Sequence, residues 1–285
     1  MKIITDSAAD LTAEDITTNA ITVTPLYIQF PEGEIASESL SHDAFYQRLE
    51  AMQPQLPTTA QPSPGDFARL YEGIRAGGDE ALSIHISSGL SGTVNSARIA
   101  AEQVGGVHVV DTMTLSGGER FQLLAAARAI KAGWPIDAIL AHLDKVRAAT
   151  EVVFTLQTLD YLARGGRIGR VQALAGSILN LKPIITVSHE DGKYSMAAKA
   201  RTMSRALPEI VAHLSALYGS RGPLWVSVMH GRFQERADQL SRLLSDALPV
   251  ARLEVLRISP VLGVHTGPGV VGAAVVPMAL MDEIR

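Results

Sequence analysis

The sequence predicts a two-domain α/β protein, with a mostly parallel sheet and flanking helices in residues 1–150 and a mixed or antiparallel sheet with helices in residues 151–285. Three observations carry that prediction. Through the first half, β-rich runs alternate with stretches of helical spacing, as βαβ units do. In the second half a hairpin signal breaks the rhythm. The 285 residues are 47% hydrophobic but only 5% aromatic, so the cores must be aliphatic, which suits buried parallel strands.

Lys2–Thr5 reads as a short strand and Ile21–Phe30 as a longer β-rich run. Apolar residues recur at helical spacing over Ser41–Met52 and Pro64–Ala76. Ala81–Ser87 is a strand, Gly92–Val104 a helix and Val107–Asp111 a strand; Gly133 then divides helices over Phe121–Ala132 and Pro135–Ala149. Beyond residue 150, Glu151–Gln157 is a strand, a glycine-broken segment follows, and Val171–Asn180 is apolar at helical spacing. Pro183–Ser188 and Tyr194–Ala200 flank His189–Lys193, with Asp191-Gly192 as the turn of a hairpin. Thr202–Tyr218, Leu224–Met229, Arg232–Ala247 and Arg252–Ser259 resume the helix–strand alternation, and Gly269–Val276 is a last strand.

Composition excludes several classes of function. There is no cysteine, hence no disulfide, thiolate metal site or cysteine nucleophile. Net charge is −4 with no basic stripe, which argues against nucleic acid as a partner. Met1–Asp6 reaches an acidic residue too soon for a signal peptide. The longest apolar stretch, Gly269–Met281, contains Pro277 and falls short of the roughly 20 residues a transmembrane helix needs. A cytoplasmic protein without a transmembrane segment is expected. The histidines show no metal-ligand spacing, so no metal site is expected either.

Polar clusters stand where strands end, which is where open α/β sheets bind ligands. They are Thr5-Asp6-Ser7, Pro57–Pro62, Ser87–Thr93 and Asp111–Gly118. Any one of them alone suits a turn or a helix cap; four at successive strand ends suggest a site. Ser91-Gly92-Thr93 opens a helix, where backbone N–H groups and two hydroxyls suit a carboxylate or phosphate. No P-loop is present. Gly89-Leu90-Ser91-Gly92-Thr93 fails the nucleophile-elbow pattern at its last position. Gly267–Gly272 matches a dinucleotide fingerprint in letters but leaves no room for the βαβ unit that must follow. In the second domain, Arg164–Arg170 sets three arginines among three glycines, and Arg201 ends a strand. Glycines allow close approach of a ligand, and arginine suits oxyanions. His265 is flanked by glycines.

Taken together and in this order, the motifs resemble those of the DegV family over nearly the whole chain. They are Thr5-Asp6-Ser7 with Asp10-Leu11, Pro57–Pro62, Ser87–Thr93, Asp111–Gly118, Leu159–Leu162 with Arg164–Gly169, Leu179–Pro183, and His265–Gly269. The resemblance implies one long-chain fatty acid held between two α/β domains, with Thr59, Ser91 and His265 on its carboxylate. It implies Arg167 and Arg201 near the head group, in contact with a phosphate or a partner, and a separate kinase to which the acid is presented for acyl-phosphate formation. A lipid-binding carrier of this kind needs no catalytic residue and no cofactor beyond the bound acid. Ala60 stands where the family has serine, and Arg120 where it has the second glycine of a Gly-x-Gly.

Physical chemistry is consistent with that ligand. Burying an acyl chain is worth about 0.8 kcal/mol per CH₂, and aliphatic runs such as Val171–Leu181 would line its tunnel. Two other readings stand beside it. One is a serine hydrolase of lipid or ester substrates using Ser91, His265 and Asp6 or Asp111; the other is a module for a sugar phosphate or small anion.

Overall fold

A computed structural model describes residues 1–174 and 181–284. In chain order its strands are β1 (Lys2–Asp6), β2 (Ile21–Thr24), β3 (Tyr27–Phe30), β4 (Gly33–Ala36), β5 (Thr58–Ala60), β6 (Ala81–His85) and β7 (Val107–Asp111). They continue with β8 (Glu151–Leu156), β9 (Lys182–Val187), β10 (Tyr194–Ala200), β11 (Leu224–His230), β12 (Val250–Arg257) and β13 (Val270–Pro277). The helices are α1 (Ala13–Asn19), α2 (His42–Ala51), α3 (Pro64–Ala76), α4 (Thr93–Val104), α5 (Gly117–Lys131) and α6 (Ile136–Ala149). After them come α7 (Asp160–Arg164), α8 (Met203–Tyr218), α9 (Gln234–Ala247), α10 (Pro260–Thr266) and α11 (Met278–Asp282).

Two main sheets follow the expected division of character. The first, in the order β2-β1-β6-β7, is parallel throughout. The second, β10-β9-β8-β13-β11-β12, is antiparallel except for the parallel pair β11–β12. A third sheet, β4-β3-β5, is antiparallel and was not expected. Pro25 explains part of the difference. It cannot donate to a ladder, so the run Ile21–Phe30 divides into β2 in the parallel sheet and β3 in the small one. The segment Pro57–Pro62, read as a loop, contains β5, which pairs with β3.

Local chemistry sets several boundaries. Ser63 and Asp66 form a capping box, with Pro64 in the first turn of α3, and Thr12 and Asp15 do the same for α1. Helices α1, α7, α10 and α11 are only five to seven residues long, too short to display a 3.6-residue period in the sequence. The expected helix Val171–Asn180 falls largely outside the described residues, as does most of the run Val171–Leu181; Gly169–Leu174 is a 3-10 turn.

Helix α5 lies between the two main sheets, against β1 and β6 on one side and β8, β11 and β13 on the other. Nearly all of it is buried, including Glu119 and Arg120. A helix covered all round can carry no polar face, and its Leu-Leu-Ala-Ala-Ala centre fits that demand. Glu119 accepts from Thr5 Oγ1 at 3.0 Å, and burial together with neighbouring Asp6 pushes its pKa well up. Arg120 reaches Asp15 at 2.7 Å, and also Glu254 on β12. Arg120 therefore joins α1, α5 and the second sheet. One aliphatic cluster runs from Ile3 and Ile84 through Phe121 to Val152 and Trp225; a second lies beneath α8 and α9. Among the described residues, no helix is long and apolar enough to cross a membrane.

Candidate functional site

The polar clusters do gather. Asp6-Ser7, Ser87–Thr93 and Asp111–Gly118 follow β1, β6 and β7, three adjacent strands whose carboxyl ends point the same way. A cavity of about 40 Å³ lies there, lined by Leu26, Thr59, Ile86, Leu90, Ser91, Arg167, Tyr194, Val261, Leu262 and His265. Thr59, Ser91, His265 and Arg167 thus meet in one place, although they come from four separate segments. Arg201 does not join them: it is exposed just after β10 and lines neither this cavity nor the next.

Each group is held by a neighbour. Thr59 Oγ1 and His265 Nε2 are 2.9 Å apart, so β5 of the first half is tied to α10 of the second. Helix α10 is seated by Asp10, which accepts from Ser259 N at 2.7 Å, and by Ser37, whose hydroxyl accepts from Val261 N at 3.0 Å. Burial raises the pKa of Asp10 to about 6, against the lowering effect of bonds from Ser116 and Ser259. Ser91 Oγ lies 2.8 Å from Thr93 Oγ1 and accepts from Thr93 N at 3.3 Å, at the start of α4. Arg167 donates to Gly165 O at 2.6 Å. The β9–β10 hairpin reaches across from the second sheet, with Ser87 Oγ donating to Gly192 O at 2.8 Å. Tyr194, two residues further on, is thereby carried into the cavity wall.

The state of His265 decides what the cavity offers. Burial first, and the charge of Arg167 second, lower its pKa to about 4, so the ring is neutral at pH 7. Its Nδ1 is buried and has no hydrogen-bond partner among the described residues. Gly165 packs against that atom so closely that an added Cβ would stand 2.3 Å from it. An orphaned lone pair is cheaper to bury than an orphaned N–H. On that ground the proton is assigned to Nε2, with Thr59 as its acceptor. The Thr59 hydroxyl hydrogen then points elsewhere, and the cavity presents hydroxyl donors beside one guanidinium.

A second cavity, of about 30 Å³, adjoins the first and shares Tyr194 and Leu262 with it. Its other lining residues are Leu115, Ser116, Val152, Phe154, Met229, Ile258, Thr266, Val270 and Gly272, nearly all apolar. The ring of Tyr194 stands edge-on to Phe154, with 5.4 Å between centroids, and forms the neck. Leu115 and Ser116 fall in the Asp111–Gly118 cluster and Thr266 in the His265–Gly269 motif; the others were not singled out by sequence reasoning. Val, Ile, Leu and Met in strands read equally as core, and only the neck shared with a polar cavity distinguishes them.

The hydrolase arrangement is not assembled. His265 Nε2 faces Thr59, and among the described residues no carboxylate meets Nδ1. Asp6 is bonded to His85 Nδ1 at 3.0 Å and to the amides of Ala8 and Ile86. Asp111 accepts from the amides of Ser88 and Met113.

Comparison with known proteins accords with this geometry. A sequence model described as "DegV: Uncharacterised protein, DegV family" matches residues 1–278. A DegV domain-containing protein of Deinococcus radiodurans is 36% identical over 278 residues, covering 97% of this chain and 96% of its own. A fatty-acid-binding DegV family protein from Thermus thermophilus superposes with a TM-score of 0.91 at 34% identity, over 97% of this chain and 99% of that one. A stearic acid-binding protein from Eubacterium ventriosum gives a TM-score of 0.88 at 26% identity, over 97% and 98%. The chain belongs to the DegV family.

Proposed function

We propose that this DegV-family chain binds one long-chain fatty acid and presents its carboxylate to a separate kinase for acyl-phosphate formation. The carboxyl group lies among Thr59, Ser91 and His265, and the tail passes Tyr194 and Leu262 into the apolar cavity. The observation that carries this reading is the shared wall of Tyr194 and Leu262: a cavity that gathers hydroxyls, an imidazole and one cation adjoins a second with an almost wholly apolar lining. A single-headed amphiphile matches that sequence of environments, whereas a sugar phosphate would leave the apolar half unused. The solved relatives described as fatty-acid-binding support the same ligand class.

The open space, about 40 and 30 Å³, would hold only a few waters. An acyl chain therefore enters as the aliphatic lining parts. Neutral His265 brings no charge and orients Thr59 through its Nε2–H, which leaves the Thr59 hydroxyl free to donate to the acid, and Arg167 is the cation beside it. Arg201, exposed and away from the cavity, serves contact with the kinase or with the phosphate it adds. Arg201→Ala should leave fatty-acid affinity intact and slow kinase-dependent phosphorylation by about 10- to 150-fold, the effect of one charge-assisted contact.

Extraction of the purified protein under denaturing conditions, followed by mass spectrometry, tests the ligand. About one intact free fatty acid per chain is expected. Absence of lipid even after loading with fatty acid would refute the reading.

A further inference from the structure

We infer that Met229 is the end stop of the acyl tunnel and sets the longest chain the protein holds. The inference rests on the fatty-acid reading above and names the residue that gives it length selectivity. The apolar cavity has one end at the neck formed by Tyr194 and Leu262. Leu115, Ser116 and Met229 close it where the amino terminus of α5 meets the second sheet. There the helix lies so close that a Cβ on Gly117 would stand 2.8 Å from both Met229 Sδ and Ala274 Cβ, and one on Gly118 would stand 2.6 Å from Val152 Cγ2. No room remains for a chain to pass between helix and strands. Met229, on β11, is the side chain that occupies the corner.

The thioether is held rather than loose. Its sulfur accepts from Gly117 N at 3.2 Å and lies in contact with Ser116 Oγ at 2.9 Å, whose hydrogen goes to Asp10. Methionine is ordinarily the most adaptable core side chain; the amide on its sulfur and the close packing of α5 fix one rotamer and turn it into a wall. Val152 and Gly272 flank it but cannot replace it, since one is short and branched and the other has no side chain. Shortening Met229 opens the corner toward Ser116 without touching Thr59, Ser91 or His265.

The experiment measures competition among saturated acids of graded length for the full chain by native mass spectrometry, in the wild type and in Met229→Ala, Met229→Val and Met229→Leu. Wild-type affinity should rise with length and then fall sharply at one length. In Met229→Ala that limit should move outward by about two methylenes. The preference for the longer acid should then increase roughly 15-fold, at about fourfold per methylene. Met229→Val and Met229→Leu should shift it in the same direction by less, and they decide the matter if the alanine variant does not fold. Variants that bind fatty acid with the wild-type length profile would overturn the assignment. A wild type that binds none of the acids would instead overturn the fatty-acid reading itself.

Discussion

His85 and His265 make the most instructive pair in this molecule. His85, at the end of β6, is fully buried, and both ring nitrogens are engaged. Nδ1 is 3.0 Å from Asp6 and Nε2 is 2.7 Å from Ser83, which in turn is 2.7 Å from Tyr71. His265, on α10, engages one nitrogen and leaves the other buried without a partner among the described residues. His85 closes a network and His265 lines a cavity. The lesson is that saturation of hydrogen bonds, rather than residue type, separates framework from site in this fold.

The contrast can be broken in three places. Largest is the framework. His85→Ala leaves the Asp6 carboxylate without its ring partner and opens a void beside Phe67, whose ring packs edge-on to the imidazole. Equilibrium denaturation should show a loss of about 3 kcal/mol. A loss below 1 kcal/mol would mean the network contributes little, and the contrast would fail on that side.

Next is the site. Thr59→Val keeps the shape of the side chain but removes the hydroxyl. Fatty-acid affinity, by calorimetric titration, should weaken about 5- to 150-fold, equivalent to about 1–3 kcal/mol. The ligand-free protein should also lose about 1–3 kcal/mol of stability, because the buried Nε2–H of His265 loses its acceptor. A stability loss with unchanged affinity would reassign Thr59 to the framework.

Smallest is the pH response. Unfolded His265 takes up a proton near pH 6.5, while the folded ring resists until about 4. Between those values the unfolded state binds more protons, so stability falls as pH is lowered through the window. His265→Gln removes that contribution, and its stability should decline less than the wild type's between pH 6.5 and 4, by about 1–2 kcal/mol. Parallel curves would show that the ring is not held neutral. Glu151 titrates in a lower window and does not confuse the comparison. Burial would raise its pKa, but bonds from His189, His213 and Thr186 outweigh that and hold it at about 2, so its contribution is lost as pH falls from 4.5 toward 2.

Much of this architecture was legible in the sequence, and the reasons are local. Val107–Asp111 and Tyr194–Ala200 were read to the residue, because turn chemistry bounds both. The polar clusters after β1, β6 and β7 were read as gathering at one end of the sheet, and the cavity lined by Thr59, Ser91 and His265 lies there. Thr59 was placed in a loop yet stands on β5, since three residues give no period to detect. Helix α10, which carries His265, was invisible for a similar reason, and so was Ser37; Asp10 stood among the quoted motifs, but nothing in the sequence showed that it seats α10. Arg201 was grouped with the head-group residues by order along the chain, and the fold leaves it exposed. The apolar cavity was legible only at Leu115, Ser116 and Thr266, because Val152, Phe154, Met229, Ile258 and Val270 differ from core only by facing open space.

The central claim is that a fatty-acid carboxyl group sits among Thr59, Ser91 and His265. Carbon-13 NMR of a carboxyl-labelled fatty acid bound to the protein tests it most directly. The account predicts a single bound resonance, distinct from free and micellar acid, that moves in Thr59→Val, Ser91→Ala and His265→Gln and stays in place in Arg201→Ala. A bound resonance indifferent to all three site substitutions would place the carboxyl group elsewhere and contradict the account.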